Sequence, residues 1–457
     1  MSYAVSFPHR RAIAAPILEV LVAPLRVLHL FVSLPVTIFL LTLASMLFRP
    51  PDLKCFPIDR IGFFALVLWA VACLCIRREP LTTYPATWPF MGLLLLGAWG
   101  VVTQPYDPQA WSVFAAKWAV PFVLFHVSRL IFRGQRSLRQ LEVFLLAALV
   151  YLTVISLFSL LNVQGLIFPR YITDESIGIH ADRARGPFLQ AVANGLCLNL
   201  LGLIALDSFR RKSIPPIVSG TLFLGVPFAL LATRTRAVWI SAAVSATLLC
   251  FVGSTRRLRR AANALCVMTA VGGIVTVLTY HGETNSLFER TMDRSPVDFR
   301  TEMYRAGWQM FTEKPLFGWG DEAGIQAEIE KRVSSFHPEY YVFHNTFLEL
   351  AVQRGMLGTG LYVWLMICLF RLRKSEGKFQ DIDGPFSGAH FRKLWPMLLL
   401  VYLLNASAVV LNYQFVNAVM FTIAGILASQ RSLDHRRTRI SVFTNAAKTE
   451  DRIPEMV

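Results

Sequence analysis

Residues 141–163 read LEVFLLAALVYLTVISLFSLLNV, an apolar run with a single charge at Glu142. A helix needs about 20 apolar residues to cross the hydrocarbon core of a bilayer, with a working range of roughly 17–25. This stretch has that length, and comparable runs lie on both sides of it. They fall near 28–48, 61–76, 88–104, 111–132, 188–207, 214–232, 237–253, 263–280, 345–370, 394–411 and 414–430. The fold expected is therefore all-α: a polytopic membrane protein with about 12 transmembrane helices and one large loop. Composition agrees, at 54% hydrophobic and 16% charged over 457 residues, with a mean hydropathy of +0.49. A soluble chain carries roughly a quarter charged residues. A net charge of +16 would suggest nucleic acid in a soluble protein. Here the excess of Lys and Arg in cytoplasmic loops accounts for most of it, and no nucleic-acid partner is expected. Six of the seven cysteines fall in apolar runs and only Cys55 in a loop, so neither a disulfide framework nor a CxxC metal site is implied. The start, with Arg10-Arg11 before a stretch broken by Glu19 and Arg26, is a poor signal peptide, and no cleavage is expected.

Loop charge sets the orientation. One alternate set of connections carries Arg77-Arg78, then Arg133, Arg136 and Arg139, then Arg210-Arg211-Lys212. It continues with Arg256-Arg257 and Arg259-Arg260, the 371–393 loop, and the tail with Arg436-Arg437. This set is expected in the cytoplasm, with both termini. The outer set includes 105–110, which has no Lys or Arg, and the tight 412–413 turn. Three outer loops nevertheless carry arginine: 164–187 with Arg170, Arg183 and Arg185, the turn Thr233-Arg234-Thr235-Arg236, and 281–343. An arginine drawn to mid-bilayer costs about 2.5–3.5 kcal/mol. Snorkelling explains one such pair, whereas three loops on one side point to an anion site. Arginine suits that task because its planar fork binds phosphate oxygens in pairs and stays charged. Lys117 and His126, inside the fourth run, are accounted for by snorkelling.

The large loop carries Arg290, Arg294, Arg300, Arg305, Lys314, Lys331 and Arg332. From Asp298 to Thr312 its period is helical, with Phe299, Met303, Ala306 and Met310 on one face, as in a segment lying on a membrane. Arg300 and Arg305 stand about 140° apart on such a helix, so one of them faces away from any common ligand. The helix is expected to stop at Lys314-Pro315, with Gly318-Trp319-Gly320 as the turn after it. Thr346-Phe347-Leu348-Glu349 has capping-box spacing, which makes Glu349 a cap residue and sets His344 just outside a helix start. There the helix dipole favours neutral imidazole, the form a general base needs; a histidine bonded to a backbone carbonyl is the plainer reading. Gly355, Gly358 and Gly360 read as close packing or a bend. Asp381-Ile382-Asp383 is read as a chance DxD. His337 and His344 lack a partner at ligand spacing, so no metal or other cofactor is expected.

Four elements in order resemble the bacterial O-antigen ligase and O-antigen polymerase superfamily. They are Arg183 to Phe188 followed by Ala193-Asn194; the Thr233 to Ala237 turn; Arg300 to Ala306 running to Lys314-Pro315-Leu316-Phe317-Gly318-Trp319-Gly320; and His344-Asn345, a nine-residue gap, then Gly355-Met356-Leu357-Gly358. The family turn usually has Gly after its Arg. Here Thr235 or Ala237 stands there, leaving Arg234 and Arg236 both open as the equivalent.

The resemblance implies a metal-independent, inverting glycosyltransferase on the periplasmic face of a bacterial inner membrane. Its donor would be an undecaprenyl-pyrophosphate-linked glycan and its acceptor a sugar hydroxyl on lipid A-core. His344 and Arg300 are then the catalytic candidates, and Arg183, Arg185, Arg234, Arg236, Arg305 and Asn345 the substrate-binding ones. A polymerase acting on lipid-linked repeat units is the close alternative, with a growing polysaccharide as acceptor. A lipid-linked polysaccharide transporter is the alternative from another class, and it should show repeats and paired polar spans, which the chain lacks. The organisation expected is a membrane bundle over 1–280, a periplasmic catalytic loop over 281–343, a second bundle over 344–430 and a cytoplasmic tail over 431–457.

Overall fold

The computed structural model describes residues 34–49, 57–76, 78, 82–178, 180–252, scattered positions from 256 to 267, 295–320, 322–333, 343–374 and 383–431. Every regular element among them is helical. In order these are α1 (Leu34–Leu47), α2 (Ile58–Cys75), α3 (Thr87–Val102), α4 (Pro108–Ile131), α5 (Gln135–Leu160), α6 (Ala191–Arg210) and α7 (Pro216–Ala232). They continue as α8 (Arg236–Val252), α9 (Ser295–Glu313), α10 (Glu322–Glu330), α11 (Thr346–Arg371), α12 (Gly388–Ala406) and α13 over 414–431. All but one of the apolar runs thus coincide with a helix. The run at 263–280 lies almost wholly outside the described residues, as do Arg290, Arg294, His337, Asp381, Ile382 and the tail from 432. Among the described residues, five helices are long and apolar enough to cross a membrane: α2, α4, α5, α6 and α11. Four more, α1, α3, α7 and α8, are apolar but shorter.

Burial sorts the helices. The most apolar window of α6 is 78% buried inside the protein, against 22% for α2, so α6 is central and α2 peripheral. α13 is buried nearly all round, from Phe415 and Val416 to Leu427 and Ala428, as expected of a helix apolar on every face. α4 opens on Asp107, whose carboxylate accepts from the Gln109 (2.9 Å) and Ala110 (3.2 Å) amides ahead of Pro108, a cap with proline at the first helical position. Its course then loosens into a π turn over Ala115–Ala119, which swings Lys117 inward.

α5 begins at Gln135 rather than 141, so Glu142 sits in its second turn and is fully buried. Arg139, Ser208 and Arg211 all donate to it. Arg210 and Arg211 also pair with Asp207, each at 2.9 Å. Arg210 reaches Asp383 through both terminal nitrogens, at 2.7 and 2.5 Å, holding that carboxyl below its ordinary range. Asp383 is thus a latch between α6 and the segment before α12.

The loop helices form a second, smaller core. Met303, Ala306 and Met310 of α9 pack with Ile325 and Ile329 of α10 and with Phe343 and Val352. The stripe expected to lie on the membrane is therefore covered by protein. α9 has two helices to bury it against, so its apolar period reports tertiary packing.

Candidate functional site

α11 organises the site, and it is broken. Gly355 has φ +62° and ψ −158°, which ends one half-helix and starts another. A break inside a membrane span exposes carbonyls above it and amides below it, and each must find a partner. The 315–320 turn supplies them. The Trp319 and Gly320 amides donate to the Val352 and Gln353 carbonyls at 2.8 and 3.1 Å, while the Pro315 and Leu316 carbonyls accept from the Met356 and Leu357 amides at 2.7 and 3.3 Å. Gly355 and Gly318 both have positive φ, and any side chain on either would strike the facing backbone. The two glycine motifs in the sequence are therefore two halves of one joint. Through it the loop is locked to α11, with the Trp319 indole donating to the Met310 carbonyl at 2.7 Å.

The joint sets α9 beside the start of α11. There the cap is Asn345, not Thr346: its carboxamide oxygen accepts from the Phe347 (2.9 Å) and Leu348 (3.1 Å) amides. This corrects one expectation, since Glu349 is freed from the capping box. Asn345, expected to bind substrate, commits its oxygen to the cap and has its NH2 group left for that role. Thr346 instead ties α11 to the α12–α13 connection, donating to the Val409 carbonyl at 2.8 Å and accepting from the Leu411 amide at 3.0 Å.

His344 precedes the cap with φ +50°, a left-handed backbone unusual for a residue with a side chain. Its carbonyl accepts from the Tyr304 hydroxyl at 3.4 Å. Burial, and then the charge of Arg300, push its imidazole from the ordinary 6.5 down to about 4. Of the two loop arginines, Arg300 is thus the one that acts on His344. Both side chains are exposed.

The other arginines gather at the same end of the bundle. The Ala184 amide donates to the Ala232 carbonyl at 3.1 Å, which joins the 164–187 loop to the 233–236 turn. Arg234, again with positive φ at +46°, lies 3.9 Å from Asp182, while Arg236 is exposed at the start of α8. Arg185 has a different role from the one expected. It is 1% exposed and donates to the carbonyls of Ile172, Asp174 and Ile177, so it is the internal frame of its loop. Arg183 is half-buried beside it. Asn194, fully buried, donates to the Ala184 carbonyl at 2.8 Å and to Ser156 at 2.9 Å, fixing the loop to α6 and α5.

Below Arg234 lies an apolar cavity of about 400 Å³ between α6, α7 and α8, reaching Leu230, Leu231 and Trp239 next to the turn. None of its lining comes from α9 or α11. The site thus has two parts at one end of the bundle: Arg234 and Arg236 over an apolar cavity, and His344 with Arg300 at the head of α11. No group of three metal-ligating side chains occurs among the described residues.

One element escaped the sequence reading. Lys117 is 9% exposed and meets Glu349 at 2.8 Å, with Gln353 donating to the same carboxylate at 3.2 Å. It is a buried partner of the site helix, and snorkelling does not describe it.

Compared with known proteins, residues 220–363 match the family model described as O-Antigen ligase. The match takes in the 233–236 turn, α9, the 315–320 joint, His344 and both Gly355 and Gly358. No curated protein matches the chain.

Proposed function

Carrying the O-antigen ligase family domain over residues 220–363, this chain is, we propose, a glycan ligase of the bacterial inner membrane. The family match supports a membrane glycosyltransferase of ligase or polymerase type. In our reading it moves a glycan from an undecaprenyl-pyrophosphate carrier to a sugar hydroxyl of lipid A-core, on the periplasmic face and without a metal. Both termini lie in the cytoplasm. The observation that carries the reading is His344, held neutral beside Arg300 at the head of a spanning helix.

A lipid pyrophosphate is already a good leaving group, so the protein must mainly stabilise charge and aim the acceptor. His344 takes the proton of the acceptor hydroxyl. The freed oxygen bonds to the anomeric carbon, inverting it. The bond from that carbon to the pyrophosphate oxygen breaks, and its electron pair leaves with the lipid. Arg300, with Arg234 or Arg236, holds the developing charge, the task of cations already positioned where charge develops. The cavity between α6, α7 and α8 takes part of the polyprenyl chain. Arg305, on the other side of α9, serves the headgroup region.

A deletion strain tests the reading. Accumulation of lipid-linked polymer is expected, and accumulation of lipid-linked single repeat units would assign a polymerase instead. The pH profile tests the base. kcat/KM reports the free enzyme, and protonated imidazole cannot accept a proton. The rate should therefore hold at neutral pH and fall as pH drops through about 4. Arg300 disfavours imidazolium, so Arg300→Gln should raise the His344 pKa and move the acid limb to higher pH. The move should be partial, because burial is the larger cause. An acid limb that stays put in this variant would uncouple the two residues.

A further inference from the structure

The 315–320 turn is rigid, apolar and uncovered. Leu316 is 63% exposed and Phe317 72%, with Trp308 of α9 nearby in sequence at 62%. Four backbone hydrogen bonds clasp the turn into the break of α11, which fixes the main chain that carries Leu316 and Phe317. Their neighbours on α11 are the first residues of a second exposed apolar row: Met356, Val363, Trp364, Ile367 and Phe370. That row recurs at helical spacing on a helix long and apolar enough to cross a bilayer, the pattern of a lipid-facing side.

Length places the turn within the same solvent. α11 ends at Arg371, with Arg373 and Lys374 just beyond, a basic margin suited to the cytoplasmic headgroups. From Gly355 to Arg371 is sixteen residues, or about 24 Å of helix. The hydrocarbon core is about 30 Å thick, so it extends roughly four residues above the break, over the level where the turn is clasped. Tilting the helix would lengthen the path and set the turn deeper. At the other flank Lys314 stands with its ammonium 3.8 Å from the centre of the Trp319 ring, a cation and an indole together, as at a headgroup boundary.

We propose that the 315–320 turn is a membrane wedge, with Leu316 and Phe317 seated among phospholipid acyl chains of the leaflet on the site's side. At the break the Pro315 and Leu316 carbonyls and the Trp319 and Gly320 amides are paired with α11, and the Gly318 amide with the Lys314 carbonyl; such pairing is what lets irregular chain enter hydrocarbon. The wedge pins α9 at headgroup level, and with it Arg300. Its occupant is bulk phospholipid, and its existence does not depend on the reaction proposed above.

Nitroxide labelling of the full chain in nanodiscs of phosphatidylethanolamine and phosphatidylglycerol tests this, with Cys55 and the exposed Cys75 replaced by Ser. Labels at Phe317→Cys and, independently, Leu316→Cys should collide with oxygen several-fold more than with a water-soluble nickel chelate. A label at Lys331→Cys, on the exposed Lys331 just after α10, should show the reverse preference. Nickel access at 316 and 317 equal to that at 331 would put the turn in water and overturn the wedge. Exclusion of both reagents there would mean that protein, such as a second copy of the chain, covers the turn, and would overturn it as well.

Discussion

His344→Gln should leave the protein folded and the donor bound, yet lower transfer by about 10²–10⁴-fold, the usual loss of a general base. An interfacial hydrogen bond is worth only about 1 kcal/mol, or roughly fivefold, so the two roles are well separated. The backbone supplies a second discriminator. His344 sits at φ +50°, where Asn is tolerated better than most residues. If the residue served only to shape the approach to the Asn345 cap, His344→Asn should work as well as the wild type or better. A catalytic imidazole predicts that Asn fails as badly as Gln. The measurement is transfer by purified protein in liposomes with chelator present, with donor binding measured in parallel. Near-normal rates for either variant would reduce His344 to a positioning residue, and loss of activity on adding chelator would reopen a metal.

The apolar runs were legible because a bilayer imposes one length on all of them, and α13 and α6 could be seen as helices from hydropathy alone. Their rank in the interior could not, since burial depends on which helix stands in the middle. His344 and the Gly355 element were legible through their spacing in one chain segment. What they build was not: the joint pairs 315–320 with 352–357, and nothing local in either stretch says that one turn fills the break of the other. Arg183 and Arg185 looked alike as outer-loop cations. Only the fold shows that Arg185 is consumed by three carbonyls of its own loop. The α9 stripe misled for a related reason, because an amphipathic period reports an apolar partner without saying whether it is lipid or protein.

Lys117 shows the same limit at its widest, for its partner Glu349 lies 232 residues on. Lys117→Met should be among the most damaging changes in the apolar bundle. Removing one member of a buried pair leaves the other uncompensated and costs about 3–5 kcal/mol, whereas replacing both by apolar residues is often neutral. Glu349 stands in the first turn of α11, so the damage falls on the helix that presents His344. The double variant Lys117→Met/Glu349→Leu should therefore regain most of the thermal stability lost by Lys117→Met. The charge swap Lys117→Glu/Glu349→Lys should regain less, because it sets a cation against the positive end of the helix dipole. Transfer activity should follow stability through the three variants, if the pair acts by holding α11 in place. Melting curves in detergent with parallel transfer assays check the series. A double variant as unstable as Lys117→Met would show that the charges matter for more than each other. A stable double variant without activity would put one of the two side chains in the reaction itself.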